Sequence, residues 1–269
     1  MSEFVKYQDI DHVRIIRIDR PDKKNAVNDE MLIRISNLIE EVDGNSAIKC
    51  VIITSITDKI FSSGYDISSE NEDTKENILK VNIIDYSPTE NSFQRMSRIL
   101  RNSEKITIAA INGDIYGGTL EILLNCDFRF FSEDSIFSIP PVKLGIVYNY
   151  YGIRNFINKI GVLNTRKIFL TGDKFNSKEA KEMGVVDFVS KNISILDDSI
   201  EFSKKFVSHA PLSISSIKKS INAVEENQQI KNEVYDEIKA SILKAINSDD
   251  YLEGQKAFKE KRKPNFSGK

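Results

Sequence analysis

Two short apolar runs constrain the fold of this chain most: CVIITS (50–55) and KITIAAI (105–111). An apolar run without polar alternation is typical of a strand that is covered on both faces, as in a parallel sheet. By contrast, NDEMLIRISNLIEEVD (28–43) carries its apolar residues at helical spacing, behind Asn28 as a candidate N-cap. This alternation of strands and helices predicts an α/β core.

The second half of the chain has a mainly helical pattern from residue 151 onward. It ends in a charged amphipathic segment that predicts a helix over about 229–260. A polar segment covers about 68–92 in the first half, and SSENEDTKEN (68–77) within it predicts a mobile loop. We therefore expect a core of residues 1–195 and a C-terminal helical region of residues 196–269.

Composition excludes several classes of protein. The chain has 269 residues, of which 40% are hydrophobic and 29% charged, and its formal net charge is −2. These values are typical of a soluble globular protein and give no reason to expect nucleic acid binding. No apolar run approaches the ~20 residues of a membrane span, and the N-terminal stretch lacks the apolar segment of a signal peptide. We therefore expect a cytoplasmic protein that does not bind membranes.

The cysteine and histidine content argues against a metal site. The two cysteines, Cys50 and Cys126, lie in apolar surroundings and are predicted to be buried free thiols. The chain has only two histidines, His12 and His209, which disfavours a His-centred metal site or catalytic triad. No metal is predicted.

Two glycine-containing turns follow the buried strands. The first lies in IFSSGYDI (60–67) and the second in INGDIYGGTLEILLNCD (111–127). In the second, Gly117 and Gly118 immediately precede an apolar helical stretch, so the first N–H groups of that helix have no partner within it. Glycine lets a ligand approach the backbone closely, and open N–H groups favour negative charge. Two such turns that face each other would supply two N–H groups to one oxygen, which is an oxyanion hole.

Each turn by itself is more often structural. A Gly-Gly pair before a helix is usually a tight turn, and FSSGYDI alone is a junction between a strand and a loop. The second turn also lacks the spacing of a dinucleotide-binding fingerprint. It is the occurrence of both turns at the ends of successive buried strands that favours a functional site.

Four segments resemble the enoyl-CoA hydratase/isomerase (crotonase) superfamily, in that family's order and over nearly the whole chain. They are RPDKKNAVNDEM (20–31), IFSSGYDI (60–67), AAINGDIYGGTLEILLNCDFRFFSEDSIFSIPPVKLGIV (109–147) and TGDKFNSKEAKEMGVVDFV (171–189). Within the superfamily, three segments are similar to the methylmalonyl-CoA decarboxylase branch: FSSGYDI (61–67), FSIPPVKLGIVYN (137–149) and the tail SDDYLEGQKAFKEKRKPNF (248–266). The tail ending occurs in several branches, so the Tyr-Asn run is the stronger indication.

The resemblance implies a crotonase-like spiral of ββα units, with a C-terminal helical region that drives trimerisation. The assembly would be a homotrimer or hexamer. It also implies an acyl-CoA substrate, with no cofactor beyond the CoA moiety of that substrate. The backbone N–H groups of Tyr65 and Gly118 would bind the thioester oxygen. The other substrate-binding residues that it implies are Lys24, Ser63, Gly64, Asp66, Ile67, Gly117, Pro140 and Lys261.

The reaction is predicted from what the site lacks. Glu121 matches the first of two glutamates that family hydratases use, but Pro141 stands where the second would be. Adding water to a double bond needs a positioned base and acid, so hydration and isomerisation are disfavoured. Loss of CO₂ from a malonyl-type thioester consumes no base and needs only a stabilised oxyanion and an oriented carboxylate. In the matching branch, the tyrosine at the position of Tyr148 is the residue that holds the carboxylate.

Several alternatives remain open from the sequence. Tyr148 is either the residue that orients the carboxylate or a core or interface tyrosine. Glu121 is an active-site residue of undetermined role: protonated, bonded to a neighbour, part of a proton route, or structural. Tyr65 replaces the small residue or His of the family and adds a wall to the site, and Pro140 replaces a polar residue.

The leading function is decarboxylation of a short malonyl-type, methylmalonyl-CoA-like thioester. The first alternative within enzymes is a decarboxylase or dehydratase whose substrate is linked to an acyl-carrier protein. Another is an enzyme of the enoyl-CoA hydratase/isomerase type. A non-catalytic scaffold is the alternative from a different class.

Overall fold

The computed structural model describes residues 2–66, 91–226, 236, 239–240, 243–244 and 246–264. Contacts within the chain define two compact units. Residues 2–66, 92–137 and 174–226 form the first unit, and the second includes residues 138–173 and the described residues from 236 to 264. The division at residue 195 and the trimerisation region stay predictions.

The described residues contain ten strands and eight α-helices. The strands are β1 (Val5–Ile10), β2 (Val13–Ile18), β3 (Cys50–Ser55), β4 (Ile60–Ser62), β5 (Ile106–Ile111), β6 (Asp114–Tyr116), β7 (Phe128–Ser132), β8 (Ile136–Ser138), β9 (Phe175–Asn176) and β10 (Phe188–Ser190). The helices are α1 (Asp29–Asp43), α2 (Ser92–Asn102), α3 (Gly117–Leu123), α4 (Tyr150–Thr171), α5 (Ser177–Glu182), α6 (Ile195–Ser203), α7 (Pro211–Glu226) and α8 (Asp249–Lys259).

The larger sheet confirms the prediction of buried parallel strands. Its order is β1-β2-β3-β5-β7-β10, and every neighbouring pair is parallel except β1 with β2. The two apolar runs of the sequence form β3 and β5, and every residue in both strands is buried. Ile195, at the start of α6, joins the apolar cluster on this sheet and helps to cover one face. The α/β prediction is confirmed.

The structure also has a smaller sheet, in which three strands each follow a strand of the larger sheet along the chain. Its order is β4-β6-β8-β9, and β4 pairs with β6 in parallel. Three successive strand pairs, β3–β4, β5–β6 and β7–β8, therefore each contribute one strand to either sheet. Because β3 pairs with β5 in the larger sheet and β4 pairs with β6 in the smaller one, the turn after β4 lies beside the turn after β6.

Helix boundaries follow local capping chemistry. The side-chain oxygen of Asn28 accepts a hydrogen bond from the Met31 N–H at 3.0 Å, so the predicted N-cap of α1 is confirmed. Helix α5 begins at Ser177, where Asn176 and Glu179 form a capping box. Of the helix predicted over 229–260, α8 is observed, and much of the rest lies outside the described residues. The predicted loop 68–77 also lies outside them.

Within the second unit, α4 breaks at Gly161, which has non-helical angles (φ 76°, ψ 162°). The break lets its two parts fold back, so the rings of Phe156 and Phe169 lie 5.0 Å apart. Helix α8 approaches a loop backbone very closely, because a Cβ on Gly254 would lie 2.4 Å from the Leu144 carbonyl oxygen.

The two thiols match their prediction. Cys50 and Cys126 are free and buried, and burial raises the pKa of each to about 12, so neither is a ready nucleophile. No helix among the described residues combines the length and apolar character needed to cross a membrane.

We predict that Gly113→Ala lowers the free energy of unfolding by about 1–3 kcal/mol, the usual cost of overpacking. The added Cβ would lie 2.8 Å from the Phe61 amide nitrogen and 2.9 Å from that of Ile60, and backbone atoms of a paired strand cannot move aside cheaply. Urea denaturation measures the change. Gly44→Ala is the matched control, because its Cβ would meet no atom within 4 Å. Equal stability of the two variants would contradict the prediction.

Candidate active site

The structure brings the two glycine turns of the first unit into contact. A Cβ built on Gly64 would lie 3.9 Å from the Gly117 Cα and 3.2 Å from the Tyr116 carbonyl oxygen. A Cβ on Gly118 would lie 3.9 Å from the Tyr65 Cβ. The turn after β4 and the turn after β6 therefore face each other.

Both turns need glycine for a conformational reason. Gly64 has φ +106° and Gly117 has φ +55°, a region that residues with a Cβ rarely adopt. Gly64 also has the Tyr116 carbonyl pressed against it. Each of these glycines directly precedes a residue whose N–H group is predicted to bind the thioester oxygen: Tyr65 follows Gly64, and Gly118 follows Gly117.

The N–H groups of Tyr65 and Gly118 have no hydrogen-bond partner in the part of the chain that the structure describes. Their neighbours are engaged: the Gly64 N–H donates to the Ser62 Oγ at 3.2 Å and the Asp66 N–H to the Val27 carbonyl at 2.8 Å. Two adjacent backbone donors thus remain for a ligand atom, as an oxyanion hole requires.

A buried hydroxyl network joins the two turns. The Ser62 hydroxyl donates to the Asn25 carbonyl at 2.8 Å and lies 2.9 Å from the Thr119 Oγ1. Because its one proton goes to Asn25, Thr119 is the donor in the second contact. The Ser62 oxygen thus links the turn at Gly64 to the first residues of α3.

Asp66 is engaged by a cation. The Arg20 guanidinium lies 2.7 Å from the Asp66 carboxylate and also donates to the Ala26 carbonyl at 3.0 Å. Both side chains are only about one-seventh exposed, at 14% and 15%. The ion pair ties the loop that begins at Arg20 to the turn that carries Tyr65.

Lys24 and Ser63 border the same turn. The Ser63 N–H donates to the Lys24 carbonyl at 3.0 Å, and Lys24 itself is exposed with φ 51°. An exposed cation therefore lies beside the turn, where it can bind an anionic part of a ligand. Ile67 lies outside the described residues.

The Tyr65 side chain has its own partners. Its hydroxyl donates to Asp29 Oδ1 at 2.8 Å, and its ring meets the Phe93 ring edge-on, with 6.4 Å between centroids. Burial, followed by the bond to Asp29, raises the pKa of this phenol, so it stays protonated and donates. Only the backbone of Tyr65 is then left to act on a ligand oxygen.

Glu121 lies in α3, three residues after Gly118 and therefore on the same helical face. It is 6% exposed, and its carbonyl accepts from the Asn125 side chain at 3.1 Å. The first unit thus gathers eight of the predicted site residues: Lys24, Ser63, Gly64, Tyr65, Asp66, Gly117, Gly118 and Glu121.

The other predicted residues that the structure describes belong to the second unit. Pro140 precedes a 3-10 turn (Pro141–Lys143) and its carbonyl accepts from the Lys143 N–H at 3.0 Å. Lys261 is exposed in a left-handed conformation, with φ 54°, after the end of α8.

Tyr148 stands just before the N-cap of α4. It is half-buried, and its ring packs edge-on against Phe169 with 4.9 Å between centroids. The next residue, Asn149, caps the helix by accepting from the Gly152 N–H at 2.7 Å. The cap and the aromatic contact together fix the backbone and ring of Tyr148 within this unit.

Sequence reasoning missed Arg20, Asp29 and Phe93. Each is far from its partner along the chain, so no local pattern indicates the contact. In the described ranges, no group of three or more His, Cys, Asp or Glu side chains is placed to hold a metal ion.

The chain belongs to the enoyl-CoA hydratase/isomerase family, whose profile matches residues 10–269. Carnitinyl-CoA dehydratase of Escherichia coli (strain SMS-3-5 / SECEC) is 29% identical to it, and the match covers 94% of each chain. Among solved structures, methylmalonyl-CoA decarboxylase in complex with 2-nitronate-propionyl-CoA is 25% identical, with a TM-score of 0.88 over 100% of both chains. An enoyl-CoA hydratase from Bacillus anthracis is also 25% identical, with a TM-score of 0.72 over 99% of this chain and 100% of the other.

These likenesses confirm the crotonase-like fold that the sequence predicted. The similar proteins include a dehydratase, a decarboxylase and a hydratase, and identity is nearly the same for each. Family membership therefore leaves the reaction to be argued from the site residues.

We predict that Asp66→Ala lowers the free energy of unfolding by about 1–3 kcal/mol, because it leaves the Arg20 guanidinium without its charged partner. Chemical denaturation measures the change. Asp22→Ala, an exposed carboxylate in the same loop, serves as the control and should stay within about 0.5 kcal/mol of the parent. An Asp66 variant with unchanged stability and weaker CoA-ester binding would instead indicate direct contact with the substrate.

Proposed function

We propose that this protein is a carboxy-lyase that decarboxylates a short malonyl-type CoA thioester of the methylmalonyl-CoA kind. The observation that carries the proposal is the meeting of the two glycine turns. It brings Tyr65 next to Gly118, and the N–H groups of both residues are without protein partners among the described residues. These two donors bind the thioester oxygen.

The chemistry that they support is formation of an enolate. The bond between the α-carbon and the carboxylate breaks, CO₂ leaves, and the electron pair moves onto the thioester carbonyl. The oxygen that gains the charge is the one that accepts the two N–H bonds. Fixed dipoles of this kind stabilise a developing oxyanion without reorganising during the reaction. A proton then adds to the α-carbon.

Tyr148 orients the substrate carboxylate in this proposal. The C–CO₂⁻ bond must stand perpendicular to the thioester plane to overlap the carbonyl π system. A neutral hydroxyl suits this task, because a cation would stabilise the carboxylate in the ground state more than in the transition state, where its charge is leaving. The packing of Tyr148 on Phe169 supports a fixed orientation.

Pro141 supports decarboxylation over hydration. It occupies the place where family hydratases carry their second glutamate, and proline has no group that can move a proton. The higher TM-score to the decarboxylase than to the hydratase, at equal identity, points the same way.

The remaining predicted residues would hold the acyl-CoA. Lys24, exposed beside the turn, would bind the anionic nucleotide end, and Lys261 would reach the ligand from the C-terminal part. Ser63, Gly64, Asp66, Ile67, Gly117 and Pro140 would border it. A homotrimer or hexamer is the assembly proposed.

A second candidate is dehydration or hydration of an acyl-CoA. The observation that favours it is Glu121, a carboxylic acid buried on the same face of α3 as Gly118. A dehydratase is also among the similar proteins. One carboxylate would then have to serve as both acid and base.

We predict that methylmalonyl-CoA or malonyl-CoA releases CO₂ with this protein, while crotonyl-CoA is hydrated at least ~10²-fold more slowly, since one acid–base group is worth about 10²–10⁴-fold. Coupled CO₂ detection and the loss of enoyl absorbance, run on the same preparation, measure both rates. Rapid hydration of crotonyl-CoA without CO₂ release would establish the second candidate instead.

We predict that Tyr148→Phe lowers kcat for decarboxylation by about 10²-fold, the scale for misplacing a reacting group, with little change in KM. Steady-state kinetics measure the effect. Tyr150→Phe is the control, because Tyr150 lies two residues away and packs on Tyr151. A Tyr148 variant with the parent rate would rule out the orienting role.

A further inference from the structure

The first turn of α2 makes two separate contacts with the residues that carry the oxyanion donors. Ser92 Oγ donates to Asp29 Oδ1, the same oxygen that accepts the Tyr65 hydroxyl at 2.8 Å. Asp29 therefore connects the Tyr65 side chain to the start of α2. Asp29 is also the first residue of α1, so three elements meet at one carboxylate oxygen.

Phe93 makes the second contact. It is 5% exposed, and one edge-to-face contact joins its ring to the ring of Tyr65. A Cβ on Gly118 would lie 2.8 Å from Cε2 of Phe93 and 3.0 Å from its Cζ. A single aromatic ring thus lies against both residues whose N–H groups form the oxyanion pair.

We propose that Ser92 and Phe93 form a brace that sets the separation and direction of the Tyr65 and Gly118 N–H donors. Tyr65 takes part through its side chain as well as its backbone, and Asp29 transmits the contact. The inference rests on the proposed function, in that it assigns to these four side chains the positioning of the oxyanion pair.

The physical need for a brace follows from geometry. An oxyanion donor is effective when it lies about 2.7–3.1 Å from the oxygen that gains charge. The backbone at Tyr65 is already held on one side, where the Val27 N–H donates to the Gly64 carbonyl at 2.9 Å. The Tyr65 side chain, held by Asp29 and Phe93, restrains the same residue from the other side.

The brace also removes the Tyr65 phenol from the chemistry. Its proton is committed to Asp29, and the raised pKa keeps it there. A tyrosine in place of a smaller residue therefore adds rigidity to the turn and does not add an acid to the site.

The test compares Tyr65→Phe and Phe93→Leu with two matched controls in the full-length protein. Tyr7→Phe removes a hydroxyl from a tyrosine that is 46% exposed, and Phe130→Leu shortens a core phenylalanine that is 4% exposed. Infrared difference spectra of bound propionyl-CoA, with ¹³C in its carbonyl, report how strongly the two N–H groups polarise that carbonyl. Steady-state kinetics with the malonyl-type CoA ester that the parent protein decarboxylates supply kcat and KM.

The two brace variants, Tyr65→Phe and Phe93→Leu, should both move the bound carbonyl stretch toward its value in free propionyl-CoA. They should lower kcat by about tenfold, short of the ~10²–10³-fold cost of deleting an oxyanion donor, with KM nearly unchanged. The two controls should keep the parent spectrum and kcat. If Phe93→Leu fails to fold, Tyr65→Phe by itself carries the test, because it removes only one hydroxyl.

A parent-like carbonyl stretch in Tyr65→Phe would overturn the brace, as would equal shifts in Phe93→Leu and Phe130→Leu. An unshifted stretch in the parent protein would overturn the oxyanion pair, and with it both the brace and the proposed function. A shifted stretch that responds to the brace variants, in a protein that releases no CO₂, would uphold the brace and reject decarboxylation.

Discussion

Parallel pairing of neighbouring strands is the constraint on which the site of the first unit depends. β3 pairs with β5 in the larger sheet, and their continuations β4 and β6 pair in the smaller one. Parallel strands end at the same edge of a sheet, so the two turns that follow them lie next to each other. Glycine at the contact then lets the backbones approach to van der Waals distance, which brings Tyr65 and Gly118 together.

Polar groups of the surrounding loops form hydrogen bonds and an ion pair that hold this arrangement. Ser62 joins the turn to Thr119, and Arg20 pairs with Asp66. An unsatisfied buried polar group costs free energy, so proteins pair nearly all of them. Two backbone donors on neighbouring residues that have no partner among the described residues, beside groups that are paired, are best understood as donors kept for a ligand. A site of this kind acts through fixed dipoles, which suits a reaction that makes an enolate and needs no base to begin.

The sequence predicted the parts of the fold that depend on local pattern. The strands β3 and β5 were predicted from continuous apolar runs, and the start of α1 from Asn28, because strand burial and N-capping leave marks within a few residues. The two glycine turns were predicted for the same reason. The residues that contact those turns were not predicted. Asp29 lies 36 residues from Tyr65 in the chain, and Phe93 lies 25 residues before Gly118. Neither pairing follows a periodic pattern, so neither could be read locally.

By itself, the sequence determined the α/β class, the two glycine turns and the family, since each is a matter of residue type and order. The tertiary structure alone decided that Gly64 meets Gly117, that the Tyr65 phenol is tied to Asp29, and that one ring of Phe93 touches both donor residues. The physical reason is that these contacts join residues brought together by sheet pairing and helix packing. Their energies depend on distances in space that no short stretch of the sequence indicates.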